Sequence, residues 1–252
     1  MIKFKKTERL KKFNAMTQFN LESFTQKFYT ACENGDLLKV KTLLKNNINN
    51  LFYNNNNNKD IRDFRYFSLI KICEYGQVNI LNFLINHPIY SVYFHPNSIN
   101  EGISPLMISC GKGHLKMVDF LLTSPLISKK PNLEYADGYG RTALFEAVAS
   151  NEIDIIHYLV KSPKLKVHAN LYHKNIFGED IFIYSCQLNQ LNIINFLLFE
   201  LNMVIDEKNM KFLNESNGKY NNILSLIETR DMHNTLNQKL SNKIPSSTRV
   251  KI

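Results

Sequence analysis

One pattern of apolar residues occurs five times in this chain, and this repetition constrains the fold more than any other feature. The pattern aligns on five glycine or asparagine residues, called the reference residues below, which are Gly35, Gly76, Gly113, Asn151 and Asn189. They are spaced 41, 37, 38 and 38 residues apart. A period of about 20–50 residues is typical of proteins built from stacked repeats. We therefore predict a single elongated domain in which each repeat packs on its neighbours.

The positions around each reference residue predict a pair of helices. Apolar residues seven positions before it are Phe28, Leu69, Leu106, Leu144 and Phe182. Apolar residues two positions after it are Leu37, Val78, Leu115, Ile153 and Leu191, and further ones follow at five, eight and nine. These later positions fall on one face of a helix. Each repeat is thus predicted to hold a helix, a turn in which Gly or Asn tolerates a left-handed backbone, and a second helix.

All four cysteines lie at the same position of the pattern, three residues before a reference residue. They are Cys32, Cys73, Cys110 and Cys186, and the fourth repeat has Val148 there. Equivalent positions in adjacent repeats are roughly 10 Å apart, which is too far for a disulfide bond. We therefore predict buried, reduced thiols and an intracellular location, cytoplasmic or nuclear.

The charge distribution bears on nucleic-acid binding. The net charge is +9; residues 1–12 carry +5 of it and residues 239–252 carry +4. The body of the chain is therefore neutral, which argues against a basic groove along the repeats. The sequence also has no run of about 18 apolar residues, so we predict no membrane-spanning helix. The N-terminus lacks the apolar core of a signal peptide.

The third and fourth repeats carry motifs of a known family. Residues 104–122 read SPLMISCGKGHLKMVDFLL and residues 137–144 read DGYGRTAL. These segments resemble ankyrin repeats, which have a Ser/Thr-Pro-Leu opening, a Gly-His turn and an Asp-x-x-Gly-x-Thr-Pro-Leu hairpin. The resemblance implies an all-α fold, an ankyrin-type helical-repeat solenoid with projecting hairpin loops. The connections rich in Gly and Asp are predicted to be extended strands around a turn. Because the family unit is about 33 residues long, the longer spacing here predicts lengthened hairpins or loops.

The predicted organisation follows from the five copies. A basic N-terminal segment, partly disordered, covers residues 1–23, and five repeats cover about 24–60, 61–97, 98–135, 136–173 and 174–205. A polyasparagine run at residues 54–58 is predicted to be a flexible surface loop. Residues 206–240 are predicted to form a degenerate capping repeat with its turn at Asp231, and residues 241–252 a disordered basic tail.

Candidate catalytic residues all have a simpler interpretation. Cys110 and His114 have a spacing that could pair a thiol with a base on a helix, but the resemblance implies a structural hydrogen bond for His114. The remaining histidines show no zinc-like spacing. Glu179 and Asp180 form a carboxylate pair at a predicted helix start, where negative charge is favourable. We predict no enzymatic activity, no metal site and no cofactor.

The resemblance implies that a partner meets the hairpin tips and the ends of the first helices. The predicted partner-binding residues are Glu74, Tyr75, Glu101, Ile103, Lys112, Tyr139, Arg141, Phe177, Glu179 and Gln187. Tyr139 and Phe177 are the favoured anchors, because aromatic residues dominate interface energies. The alternative for both is packing against the neighbouring hairpin.

The sequence therefore predicts a non-catalytic protein-protein interaction module, an adaptor or scaffold, which binds through its hairpin tips and concave helix face. The expected partner is an unidentified protein, and the chain is expected to be a monomer. An alternative is tethering to nucleic acid or an anionic membrane through the basic termini, since lysine-rich tails attract polyanions. A third possibility is that these tails only aid solubility.

Overall fold

A computed structural model describes residues 19–53, 59–97, 99 and 102–243 of the chain. Within these ranges the regular structure is helical, which confirms the predicted all-α class. The predicted polyasparagine loop, most of the basic N-terminal segment and the tail beyond residue 243 lie outside the described residues. The chain divides into two compact units, Met1–Pro131 and Asn132–Ile252, which are described separately below. A border between repeats is physically reasonable, since each repeat contacts mainly its neighbours.

In its described residues the first unit contains three pairs of helices, one for each of the first three repeats. They are α1 (Leu21–Glu33) with α2 (Leu37–Asn46), α3 (Lys59–Glu74) with α4 (Val78–Asn86), and α5 (Pro105–Gly111) with α6 (Leu115–Thr123). The start of α5 shows how these helices are capped. Ser104 Oγ accepts a hydrogen bond from Met107 N–H at 3.2 Å, and Pro105 occupies the first turn. The first helices pack side by side, α1 on α3 and α3 on α5.

The second unit has the same internal arrangement of helix pairs. Its helices are α7 (Ala143–Ala149) with α8 (Ile153–Lys161), α9 (Ile181–Gln187) with α10 (Leu191–Asn195), and α11 (Glu207–Asn214) with α12 (Asn221–Lys243). A π-helical turn, Phe196–Glu200, extends α10. Again the first helices pack in order, α7 on α9 and α9 on α11. Asp180 Oδ1 caps α9 by accepting from the N–H groups of Phe182 and Ile183.

Every reference residue has the predicted left-handed backbone. The φ angles are 67°, 64°, 74°, 62° and 55° in chain order from Gly35 to Asn189. In the first repeat Gly35 N–H donates to the Cys32 carbonyl at 3.1 Å and Asp36 N–H donates to the Ala31 carbonyl at 2.8 Å. The same pair of bonds recurs in the other four repeats. This is the Schellman arrangement, which satisfies the last carbonyls of the first helix.

The predicted core is confirmed at most positions of the pattern. The residues three and seven positions before each reference residue and five positions after it are buried, and the four cysteines are free. Burial raises the pKa of Cys32, Cys73 and Cys186 to about 12, so these thiols stay protonated. The prediction fails two positions after the reference residue, because none of the five residues there is buried. The core is instead filled from position four, by Ile80, Met117, Ile155 and Ile193.

The connections between repeats differ from the predicted extended strands. In the described part of the chain the tips are tight turns, closed by Asp137 N–H to the Arg141 carbonyl at 3.0 Å and Asn175 N–H to the Glu179 carbonyl at 2.9 Å. The extra length of the first two repeats lies partly in helix, since α1 and α3 have 13 and 16 residues where α5, α7 and α9 have 7. Helix and connecting segments therefore share the extra length.

The sixth helix pair has a different register from the predicted one. Its turn contains Asn217 and Gly218, with φ of 51° and 84°. Helix α12 runs without a break through Asp231 and includes residues 241–243, which had been expected in a disordered tail. Ile223 and Ile227 are buried. Apolar residues spaced three and four apart fit one long helix as well as two short ones, so the Asn-Gly pair was the better marker of the turn.

Three glycine-to-alanine substitutions separate backbone strain from steric clash. Gly138→Ala should be nearly neutral, because an added Cβ meets nothing within 4 Å. Gly178→Ala should cost about 1–2 kcal/mol, because φ is +77° in open space. Gly76→Ala should cost about 2–4 kcal/mol, since φ is +64° and the Cβ would lie 2.8 Å from the His114 ring. Urea denaturation followed by circular dichroism measures all three, and equal losses would refute this order.

Candidate functional site

The tip of the fourth repeat is held by one carboxylate. Asp137 Oδ1 accepts backbone hydrogen bonds from Tyr139 at 2.9 Å and Arg141 at 2.8 Å. Its Oδ2 accepts from Nε and Nη2 of Arg141 at 2.9 and 2.8 Å. Burial acts to raise the pKa of Asp137, but the hydrogen bonds from Arg141 and Tyr139 outweigh it and leave the pKa lowered. The Arg141 guanidinium is therefore engaged within its own turn.

The tip of the fifth repeat uses an amide in the equivalent place. Asn175 Oδ1 accepts from the backbone N–H of Phe177 at 2.9 Å and of Glu179 at 3.0 Å. Asn175 Nδ2 donates to Glu179 Oε2 at 2.8 Å, and Gln187 Nε2 donates to Glu179 Oε1 at 2.6 Å. Asn175 is buried. Both oxygens of Glu179 are thus fixed by neutral donors.

The two tips are joined directly. Ile176 N–H donates to the Tyr139 carbonyl at 3.1 Å. His173 Nε2 lies 3.0 Å from the Gly140 carbonyl oxygen. A Cβ at Gly140, where φ is +74°, would lie 2.9 Å from the Ile176 nitrogen, so the close approach requires glycine. The tips therefore form one continuous surface, called the tip surface below.

A pocket of about 420 Å³ opens on the tip surface. It is lined by Tyr139, Arg141, Asn175, Phe177, Glu179, Tyr184 and Gln187. Tyr139 is 58% exposed and Phe177 is 70% exposed. The structure thus brings together five of the predicted partner-binding residues. It adds Asn175 and Tyr184, which were not predicted from the sequence; the Asn-x-x-Gly spacing of residues 175–178 was the available signal for Asn175.

The charges around this pocket are unbalanced. Arg141 Nη2 lies 2.8 Å from Asp137 and 3.6 Å from Glu146 Oε1, and its guanidinium lies 5.3 Å from the centre of the Tyr139 ring. Burial raises the pKa of Glu146, although Arg141 opposes that change. Glu179 lines the same pocket, so three carboxylates and one guanidinium lie in or beside it. The cluster therefore has an excess of two formal negative charges.

The remaining predicted site residues belong to the first unit. Glu74 is paired with Lys71 at 2.6 Å and with Lys112 at 3.3 Å, and the hydrogen bond from Lys71 is the main cause of its lowered pKa. Lys71 Nζ also lies 5.7 Å from the centre of the Tyr75 ring. Ile103 is exposed, and its carbonyl accepts from Tyr66 Oη at 2.9 Å. Glu101 lies outside the described residues.

His114 makes the structural hydrogen bond that the sequence predicts. Its Nε2 lies 2.7 Å from the backbone carbonyl oxygen of Glu74, which ends the first helix of the preceding repeat. Gln77 Nε2 makes the equivalent contact to the Glu33 carbonyl at 3.3 Å. These side chains therefore tie adjacent repeats together. Among the described residues no three His, Cys, Asp or Glu side chains converge as metal ligands.

Substitutions of Asp137 test how the tip is held. Asp137→Asn should cost only about 0.5–1 kcal/mol, because the amide oxygen can keep the two backbone bonds, as Asn175 does, and only the partly buried ion pair with Arg141 is lost. Asp137→Ala should cost about 1–3 kcal/mol, because the backbone donors lose their acceptor as well. Urea denaturation of the parent and both variants checks this order, which equal losses would contradict.

The same variants carry a pH test. The folded pKa of Asp137 lies below its ordinary value of 3.8. The ionised carboxylate therefore stabilises the fold above the unfolded pKa, and this stabilisation is lost as the pH falls through the lower folded pKa. The parent's advantage over Asp137→Asn should shrink below about pH 4. An advantage that stays constant down to the acid limit of folding would refute the ion pair.

Comparison with protein families identifies a match for this chain. The family described as ankyrin repeats (3 copies) matches residues 28–132 and 69–170, and these ranges together span more than half of the chain. No curated protein matches the chain. In the described residues no helix is both long and apolar enough to cross a membrane. The family match coincides with the reference turns and buried positions of the first four repeats, and we conclude that this chain belongs to the ankyrin repeat family.

Proposed function

We propose that this chain is a non-catalytic adaptor or scaffold that binds a protein partner through the tip surface of the fourth and fifth repeats. The observation that supports this most is the exposure of two aromatic rings, Tyr139 and Phe177, at the rim of one pocket. Ankyrin repeats are generally protein-protein interaction modules, which supports the same function. The adjacent ends of the first helices, including Gln187, extend this surface.

Preorganisation favours binding at this place. The backbone N–H groups of Tyr139 and Phe177 are fixed by Asp137 and Asn175, and the two turns are joined by the Ile176 hydrogen bond. A partner therefore meets aromatic side chains whose backbones are already ordered, so binding loses less conformational entropy. Arg141 acts in this proposal mainly by closing the turn, since Asp137 already engages its guanidinium.

The first unit supplies the other proposed contacts. Ile103, Tyr75, Lys112 and Glu74 keep the role of partner-binding residues, with Ile103 and Lys112 the more exposed of the four. We place the protein as a monomer in a reducing, intracellular compartment, cytoplasmic or nuclear, which the free and buried cysteines support.

A paired comparison tests the tip surface. The variant Tyr139→Ala/Phe177→Ala removes both rings, and the control Val167→Ala/Phe199→Ala removes two exposed apolar side chains elsewhere in the same unit. Truncating interface anchors typically costs about 2 kcal/mol or more, which is roughly 30-fold in affinity. Affinity purification with quantitative mass spectrometry should therefore recover a specific partner with the parent and the control and lose it with the variant. A partner profile shared by all three folded proteins would refute the proposal.

The termini offer a second candidate function, contact with nucleic acid or an anionic membrane. The observation that favours it is the location of the whole +9 excess in residues 1–12 and 239–252. Helix α12 reaches Lys243, so basic-to-glutamine substitutions are a cleaner test than deletion. The parent should bind a labelled oligonucleotide or phosphatidylserine vesicles with an affinity that falls steeply between about 50 and 200 mM salt. Binding that persists after the substitutions would exclude the termini.

A further inference from the structure

The chemistry of the tip pocket indicates what kind of side chain it receives. Three aromatic residues line it, namely Tyr139, Phe177 and Tyr184. Aromatic faces attract cations by about 0.5–2 kcal/mol, depending on how far the pair is desolvated. The structure already contains one such contact, between the Arg141 guanidinium and the Tyr139 ring at 5.3 Å. The wall of the pocket is therefore suited to cations as well as to apolar groups.

The local charge indicates whether the pocket favours a cationic or an apolar group. Glu179 lines the pocket, and its oxygens are held by Asn175 and Gln187, which satisfy hydrogen bonding without supplying positive charge. The Arg141 guanidinium is instead paired with Asp137, and it lies 3.6 Å from Glu146. Two basic side chains of the same connecting segment are also engaged, because Lys174 lies 3.1 Å from Asp206 and His173 lies 3.6 Å from Glu134.

The cluster thus has a negative formal charge, and the charged members that line the pocket are Glu179 and the paired Arg141. An acidic occupant would meet Glu179, and Arg141, the cation in the lining, is already paired with Asp137, so such an occupant loses binding energy. A cationic occupant would supply the missing charge. The volume of about 420 Å³ lies within the range of roughly 300–1,000 Å³ typical of ligand pockets, so one long side chain with its adjoining backbone can enter.

We propose that the protein partner inserts a lysine or arginine side chain into this pocket, with its stem against Tyr139 and Phe177 and its charged group facing Glu179. This inference rests on the proposed function, because it specifies the residue type that the tip surface recognises. It assigns Phe177 as the apolar contact and Glu179 as the residue that selects for charge.

Peptide selection on the full chain tests the inference without knowledge of the natural partner. A random peptide library displayed on phage is selected against the folded protein, and enriched peptides are synthesised with a fluorescent label. Each peptide is also made with arginine replaced by citrulline, or lysine by norleucine, which removes the charge. Binding is measured by fluorescence anisotropy to the parent, Phe177→Ala and Glu179→Gln. The matched controls are Phe199→Ala and Glu215→Gln, since both residues are exposed and lie elsewhere in the unit.

We expect enriched peptides to share a basic residue and to lose at least tenfold in affinity with Phe177→Ala. Glu179→Gln and the neutral peptide should each lose at least fivefold, and together they should lose little more than either alone. If the affinity losses from Glu179→Gln and from the neutral peptide are additive, or if neither change lowers the affinity, the cationic inference is overturned. The proposed tip surface is not affected by either result. Peptides that bind Phe177→Ala as tightly as the parent would refute the tip surface itself. If Glu179→Gln lowers the melting temperature, the neutral peptide alone decides, because it leaves the protein unchanged.

Discussion

The left-handed turn between the two helices of each repeat is the constraint on which the rest of the structure depends. At Gly35 the turn satisfies the carbonyls of Ala31 and Cys32, which would otherwise be left without a partner at the end of the helix. It also reverses the chain so that both helices direct apolar residues into one core. The residue that follows it is then placed to contact the preceding repeat, as His114 contacts the Glu74 carbonyl. A single backbone angle therefore links the fold of one repeat to the stacking of the next.

Much of this fold could be predicted from the sequence because its signals are local. Glycine and asparagine mark the left-handed positions, and the buried cysteines mark the core, so the helix pairs could be placed from the order of residue types alone. The errors arose where a local pattern fits two structures. Leu191 fits the helical period but lies at the first turn of α10, where the side chain faces solvent, and Ile193 fills the core instead. A turn was also predicted at Asp231, but the apolar spacing there fits one continuous helix equally well, and α12 is that helix.

The candidate site could be predicted only in part. The tip positions of Tyr139 and Phe177 follow from the repeat pattern, and the structure places both at one pocket. The bonds that position them do not follow from it, because the Ile176 N–H contact to Tyr139 joins residues 37 apart. The engagement of Arg141 by Asp137 is also not visible in a sequence that shows only two charged residues four positions apart. Side-chain partners across a tertiary contact depend on how the chain folds back on itself, which a local pattern does not encode.

The four cysteines give this protein a built-in set of reporters on local opening. Each thiol lies at the centre of a different repeat and is fully shielded, and burial holds the pKa of three of them near 12. A thiolate-directed reagent can therefore modify a cysteine only after its own repeat opens. The rate of thiol modification at Cys32 reports opening of the first repeat, and the rate at Cys186 reports opening of the fifth. The fourth repeat has no such reporter, because it has Val148 at this position. Local opening can thus be followed in individual repeats without introducing any cysteine by mutation.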